Sequence, residues 1–309
     1  MLVAKGWSTV ISPYDRVLSK QELIDALRQD HYHAVLCLLT DTIDAEVLDA
    51  GKASGVKIFA NYAVGFDNID VKAAAERGIL ITNTPEVATE TVAEHTFALM
   101  LAIAHRVSES DRFSRAGKFK GWEPELLLGT DLSHKILGIV GLGRIGAAVA
   151  HHAVKGFDMK VIHFDVKRNE AFEKEFGAEF RVNVDDVFRE ADFVSIHAPL
   201  LPETRHLVNT QRLKLMKPTA YLINTSRGPI VDEAALRDAL KAGTIKGAAI
   251  DVWEHEPELT PGLAELENII ITPHTASATE ETRQRMGEVA AKNIIEALEG
   301  RTPPNLVKI

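Results

Sequence analysis

Cys37 is the only cysteine in 309 residues, which excludes an intrachain disulfide framework. It lies in the apolar run 34–39, where a buried inert thiol is the ordinary reading. Basic charge is also in short supply. Thirty-five Lys and Arg stand against 44 Asp and Glu, a net charge of -9. Nucleic acid would want a basic patch, so that class of partner is not expected. The longest apolar run, Thr96 to Ala104, falls well short of the ~20 residues that span a bilayer. The segment from Met1 to Trp7 lacks the apolar stretch of a signal peptide. The resulting expectation is a cytoplasmic protein that engages neither membrane nor nucleic acid. A metal site is not expected either. His151 and His152 are adjacent on a helical stretch and do not share a face. His31 and His33 lie in a polar turn with no carboxylates at ligand spacing.

What is present is an ordinary globular balance, with 46% hydrophobic and 26% charged residues. At about 150 residues per domain the length suggests two domains. Apolar strand-like runs recur at 35–39, 57–60, 136–140, 160–164, 193–196, 221–223, 248–250 and 269–271. Several are continuously apolar, as expected of parallel strands covered on both faces. Amphipathic stretches at 21–30, 44–53, 70–77, 145–154, 185–190 and 233–242 alternate with them. This alternation predicts an α/β fold built from right-handed crossovers. Longer helices are expected over 89–114 and 279–300, where the chain would pass between domains.

The strand Ile136–Val140 runs directly into Gly141-Leu142-Gly143-Arg144-Ile145-Gly146, and a helix follows. A lone G-x-G-x-x-G is weak evidence. Here it has a strand before it, a helix after it, and Asp165 closing the next strand 19 residues beyond Gly146. Gly141 would allow the tight turn, Gly143 the approach of a pyrophosphate, and Gly146 close helix packing. The helix N-terminus offers free N–H groups to phosphate. Asp165 would accept hydrogen bonds from the adenosine ribose and repel a 2′-phosphate, which favours NAD over NADP. The alternative is a tight βα turn with no ligand.

Three further strands end in chemically active residues. Arg227 follows 221–223, and its planar fork suits a carboxylate. Read alone it would be a surface or ion-pair residue. Glu256 follows 248–250 in Asp251-Val252-Trp253-Glu254-His255-Glu256-Pro257. His274 closes 269–271, and taken singly it would be a hydrogen-bonded structural histidine. A histidine beside a carboxylate makes an acid–base pair in which the carboxylate orients the ring and stabilises imidazolium. Strand ends in an α/β sheet feed one crevice.

With these motifs in view, the chain resembles the D-isomer-specific 2-hydroxyacid dehydrogenases over nearly its whole length. The marks are Gly141–Gly146 with Asp165, Asn224-Thr225-Ser226-Arg227-Gly228, Asp251-Val252-Trp253 with Glu256-Pro257, and Pro273-His274 with Ser277 and Thr279. The spacings of 29 residues from Arg227 to Glu256 and 18 from Glu256 to His274 are also similar to the family's. The resemblance implies that Arg227 holds the substrate carboxylate and carbonyl, that His274 is the general acid or base, and that Glu256 pairs with it. It implies a cofactor set of Gly141, Gly143, Arg144, Ile145, Gly146, Asp165, Thr204, Thr225, Ser226, Asp251 and Ser277. Backbone N–H groups near Val64 and Gly65 would meet the carboxylate; without the resemblance that loop reads as an ordinary turn.

Gly121-Trp122-Glu123-Pro124 is similar to the glyoxylate and hydroxypyruvate reductase branch, in which the tryptophan reaches the partner subunit's site. Trp122 would then line a pocket across a homodimer interface, or else pack locally. Those reductases often prefer NADP and replace the acid that this chain keeps as Asp165. The implied architecture is two doubly wound parallel-sheet domains. A Rossmann nucleotide domain (92–279) is inserted into a flavodoxin-like substrate domain (1–91 and 280–309). Relatives begin with a strand and helix ahead of the segment matching 8–12. Here 1–6 resembles the tail of that helix, so the first strand is expected to be missing and the chain less stable than an extended form. The implied reaction interconverts a small 2-oxo acid, glyoxylate or hydroxypyruvate, and its D-2-hydroxy acid. A non-catalytic NAD-sensing scaffold on the same fold is the alternative.

Overall fold

The computed structural model describes residues 1–308. The chain divides into two compact units, one of residues 1–88 with those from 278 onward, the other of residues 89–277.

In the first unit, α1 (Lys20–Gln29) opens on a capping box between Ser19 and Glu22. Then come β1 (Ala34–Cys37), α2 (Ala45–Ser54) with Asp44 as cap, β2 (Ile58–Asn61), α3 (Val71–Glu76) capped by Asp70, and β3 (Leu80–Thr82). The strands pair in parallel in the order β1-β2-β3. Alternate strand residues go to opposite faces, as the pleat requires. Cys37, Phe59 and Ile81 pack with Ile24, Leu27, Val47 and Leu48 of α1 and α2. Ile58 and Ala60 pack against Ile294 and Ala297, which return to this unit near the end of the chain. Residues 3–5 form one 3-10 turn.

The second unit starts with α4 (Thr89–Ala104) and α5 (Val107–Arg115). The single helix expected over 89–114 is therefore broken. Arg106 takes a left-handed φ of 55° between the two. The returning chain explains the break. Thr130 N–H donates to the Ala104 carbonyl at 2.8 Å, and Gly129 lies so close that a Cβ would sit 2.5 Å from that oxygen. The carbonyl end of α4 is thus capped from outside, which ends the helix there.

Beyond the loop run β4 (Ile136–Val140), α6 (Arg144–Phe157), β5 (Lys160–Phe164), α7 (Glu170–Phe176), β6 (Glu179–Phe180), α8 (Val184–Glu190), β7 (Phe193–Ile196), α9 (Thr210–Leu215), β8 (Tyr221–Asn224), α10 (Glu233–Lys241), β9 (Gly247–Ile250) and β10 (Ile269–Ile271). All seven strands are parallel, in the order β10-β9-β8-β7-β4-β5-β6. The order reverses direction between β4 and β7, the topological switch point at which doubly wound sheets bind nucleotides. Val194, Ile196, Leu222, Ala248 and Ile250 fill one face of the sheet; Leu137, Ile139, Val161, Phe193 and Ile223 fill the other. Helix α11 (Glu280–Leu298), with Thr279 as its cap, returns the chain to the first unit. Among the described residues no helix is long and apolar enough to cross a membrane, and no group of three or more His, Cys, Asp or Glu is arranged to hold a metal ion.

Candidate active site

At the switch point the three glycines of the loop meet three different demands. Gly141 has φ 96°, and a Cβ there would lie 2.8 Å from the His197 carbonyl. Gly146 packs its helix onto the turn so tightly that a Cβ would stand 2.1 Å from Gly141 O. Both are dictated by protein neighbours. Gly143 is not, since nothing lies within 4 Å of its virtual Cβ. It is also the N-cap of α6 and offers no side-chain cap to the first N–H groups of that 14-residue helix. An uncapped helix start beside a glycine that no neighbour requires fits a dinucleotide pyrophosphate. Asp165 Oδ2 accepts the Leu142 N–H at 2.7 Å and Oδ1 accepts the Lys167 N–H at 3.0 Å. Its carboxylate therefore also fixes the glycine loop.

His197, beside Gly141, takes a hydrogen bond between its Nε2 and Ser195 Oγ at 2.8 Å. Burial holds it well below the ordinary histidine range, pushed down to about 3. His163 on β5 is buried and shifted the same way, chiefly by desolvation. A histidine with a depressed folded-state pKa binds its proton in the unfolded chain first. For His197, stability is then full above about pH 6.5 and declines as pH falls toward about 3, by roughly 1.4 kcal/mol per pH unit. The urea midpoint should accordingly fall between pH 7 and pH 5, and the fall should be shallower in His197→Gln. Parallel profiles for the two proteins would rule out His197 as a source of the acid sensitivity.

The catalytic candidates sit at the carboxyl ends of β8, β9 and β10. After β8, buried Asn224 shapes the turn: its Oδ1 accepts the Ser226 N–H at 3.1 Å and its Nδ2 donates to Arg227 O at 3.0 Å. Arg227 Nη1 donates to Ser226 O at 2.9 Å. Gly228 then passes against the next strand end, where a Cβ would meet Trp253 O at 1.8 Å. Only glycine lets the Arg227 segment and the 253–256 segment lie side by side.

After β9, Glu256 is held at both oxygens. Oε1 accepts the Trp253 N–H at 3.1 Å, and Oε2 lies 2.9 Å from His274 Nδ1. The pair is about three-quarters shielded, with side-chain exposures of 26% for His274 and 30% for Glu256. Because Nδ1 faces a carboxylate, it carries the hydrogen of that bond, and Nε2 is the nitrogen left for a reactant. His274 itself has φ 53°, and its N–H donates to Asp251 O at 2.8 Å.

Several residues expected at the cofactor have side chains bound elsewhere. Asp251 is fully buried. Its carboxylate accepts the Thr272 hydroxyl at 2.6 Å and the Thr275 and Ala276 N–H groups at 2.8 Å each. Burial pushes its pKa up, but hydrogen bonds from His95, Thr272, Thr275 and Ala276 outweigh this and hold it below the usual carboxylate value. The group staples the turn that presents His274. Thr96 donates its hydroxyl proton to Val92 O at 2.7 Å, so Thr225 is the donor in the 3.0 Å bond between the two threonines. Ser226 Oγ donates to Ala198 O. Thr204 Oγ1 accepts the Leu201 N–H at 2.8 Å and donates to Pro199 O at 2.7 Å, closing a local turn. Trp122 is 83% exposed, so it does not pack locally. Val64 and Gly65 belong to the first unit, where their carbonyls accept from Asn83 Nδ2 (2.7 Å) and Asn61 Nδ2 (2.8 Å). A cavity of about 250 Å³ lies at the opposite, amino-terminal end of the strands, lined by Arg106, Tyr221, Lys246 and Asn268 among others. None of Arg227, Glu256 or His274 reaches it.

This geometry has clear counterparts. Residues 97–276 match the family described as "D-isomer specific 2-hydroxyacid dehydrogenase, NAD binding domain". The glyoxylate reductase of Korarchaeum cryptofilum is 51% identical over 292 residues, covering 94% of this chain and 86% of that protein. A crystal structure of a Thermus thermophilus protein superposes with TM-score 0.92 at 44% identity, covering 99% of this chain and 95% of the other. A glyoxylate reductase structure from Paecilomyes thermophila gives 0.84 at 30% identity, with 93% and 88% covered. The chain belongs to the D-isomer specific 2-hydroxyacid dehydrogenases. It is an NAD-dependent oxidoreductase that interconverts 2-oxo and 2-hydroxy acids.

In this dehydrogenase one residue near the catalytic turn escapes a reading of the sequence. His95, on α4, lies with Nε2 3.3 Å from Thr272 Oγ1 and 3.4 Å from Asp251 Oδ1. Thr272 already donates to Asp251, so the His95 nitrogen is the donor. It adds a contact to the staple beneath His274. No sequence signal marks it, since His95 stands beside Glu94 and Thr96 in the polar first half of α4.

Proposed function

We propose that this dehydrogenase reduces glyoxylate or hydroxypyruvate with NADH, using Arg227, Glu256 and His274. The observation that supports this most is the chain Trp253 N–H, Glu256, His274 Nδ1, with bonds of 3.1 and 2.9 Å. It holds the ring in one tautomer and supports positive charge on it, leaving Nε2–H to protonate a carbonyl oxygen. Arg227 would grip the substrate carboxylate and oppose the charge that develops on that oxygen. Gly141, Gly143, Arg144, Ile145 and Gly146 would hold the NAD pyrophosphate at the start of α6, and Asp165 the ribose. Thr204, Thr225, Ser226 and Ser277 would shape the remaining wall of that pocket, with buried Asp251 holding the His274 turn behind it. The nicotinamide supplies the hydride. Glyoxylate is preferred because relatives bearing the name glyoxylate reductase reach 51% identity.

A homodimer in the cytoplasm completes the proposal. Val107, Phe119, Trp122 and Leu128 are 53%, 56%, 83% and 60% exposed within 22 consecutive residues, 107–128. Such clustering of exposed apolar side chains is typical of a surface that another subunit covers.

The substrate and cofactor are tested together by NADH and NADPH oxidation with glyoxylate, hydroxypyruvate and pyruvate. Glyoxylate or hydroxypyruvate with NADH should give the highest kcat/KM. Asp165→Asn should shift the NADPH-to-NADH ratio of kcat/KM upward by about tenfold, equivalent to ~1.4 kcal/mol of lost discrimination. An unchanged ratio would remove Asp165 as the selector.

A further inference from the structure

Behind the catalytic loop lies a carboxylate that the reaction does not use. Glu233, the first residue of α10, is only 1% exposed. Among the described residues no cation pairs with it. A buried carboxylate without an ion partner needs other compensation, and here the compensation is backbone. Oε1 accepts the Glu254 N–H at 2.6 Å and Oε2 accepts the Thr260 N–H at 3.3 Å. The contact is reciprocal, since the Glu233 N–H points to Glu254 Oε2 at 3.5 Å. Glu254 is anchored in turn, with His206 Nε2 2.5 Å from its Oε1 and Arg205 at 3.6 Å. His206 donates its own N–H to Pro229 O at 2.9 Å.

These bonds tie the segment bearing Arg227 to the segment bearing Glu256. The segment from Arg227 to Glu233 is one side, and the segment from Trp253 to Thr260 is the other. Gly228 seals one end against the Trp253 carbonyl. Glu233 grips the other side at residues 254 and 260, so that Glu256 lies between the two gripped points.

We infer that Glu233 is a positioning residue for the acid–base pair: it clasps the loop bearing Glu256 to the segment bearing Arg227. The inference rests on the catalytic roles proposed above for those residues. Without the clasp the 254–260 loop is free to shift, and Glu256 no longer meets His274 Nδ1 at a fixed distance.

The test uses Glu233→Ala and Glu233→Gln in the full chain. Glutamine keeps one acceptor for the Glu254 N–H and loses the second, so it is the milder change and the variant to rely on should alanine fail to fold. For reduction of glyoxylate with NADH, kcat should fall about tenfold or more in Glu233→Ala and less in Glu233→Gln. KM for NADH should stay within about twofold, because the glycine loop lies on other strands. The imidazole NMR signals of His274 provide a readout independent of turnover. The Nδ1–H resonance should be observed in the parent and broaden or vanish in the variants while their circular dichroism stays unchanged. A lowered melting temperature with kcat and the His274 resonance both unchanged would reduce Glu233 to a structural residue and overturn the inference. A parent protein that turns over no 2-oxo acid would contradict the proposed reaction, and the resonance would then decide the clasp on its own.

Discussion

His274→Ala should lower kcat for reduction of a 2-oxo acid by about 10²–10⁴-fold, the usual contribution of a positioned general acid. The ring is fixed by Glu256 at Nδ1 and by the left-handed turn at its own backbone, where its N–H reaches Asp251 O. Alanine removes the proton donor but not that turn. Asp251 still receives Thr272, Thr275 and Ala276. NADH affinity, measured by fluorescence titration, should therefore hold, because the Gly141–Gly146 loop stands on β4 and α6. The loss should appear in kcat and kcat/KM together, as expected when an interaction made in the transition state is removed. A variant retaining a third of the parent kcat would take His274 out of the proton transfer.

Gly228→Ala adds one methyl group and should do nearly as much damage. The Cβ would stand 1.8 Å from Trp253 O and 2.7 Å from Glu254 N. Both are backbone atoms, so no rotamer change relieves the overlap, and one strand end must move by more than an ångström. Overpacking of this kind costs about 1–3 kcal/mol and occasionally more. The functional cost is larger. Arg227 precedes the glycine, and Glu256 hangs from Trp253 N–H, so the displacement separates the carboxylate grip from the acid–base pair. A misplacement of about 1 Å is worth roughly 100-fold in rate. Thermal melting and kcat/KM measured together check this, and a variant near parent values in both would contradict the close packing described.

The glycine loop and the Arg227, Glu256 and His274 set differ in how openly they are written in the sequence. The glycine loop is local in sequence: strand, turn and helix follow one another, although Gly141 also packs against His197 and Ala198 beyond β7. Arg227, Glu256 and His274 were legible as strand-end residues because parallel strands read as plain apolar runs. The direction of their neighbours' side chains was not. Asp251, Thr225 and Ser226 follow the same strands, yet Asp251 turns inward to the His274 turn, Thr225 to α4 and Ser226 to Ala198. Position at a strand end does not say which way a side chain points when tertiary partners compete for it. His95 and Glu233 were invisible for the same reason, since their partners are far along the chain. The break between α4 and α5 depends on Gly129 and Thr130 arriving at Ala104, a contact that helical periodicity cannot register. Strand β6, two residues long, and the short helices α7 and α9 carry too little pattern to detect.

The central claim is that Arg227, Glu256 and His274 carry out carbonyl reduction with NADH bound at the Gly141–Gly146 loop. The most direct measurement is NADH oxidation by the purified protein on addition of glyoxylate, with NADH binding measured in parallel. The account predicts substrate-dependent oxidation that is nearly abolished in His274→Ala while binding persists. Tight NADH binding with no oxidation of NADH by glyoxylate, hydroxypyruvate or pyruvate would contradict it.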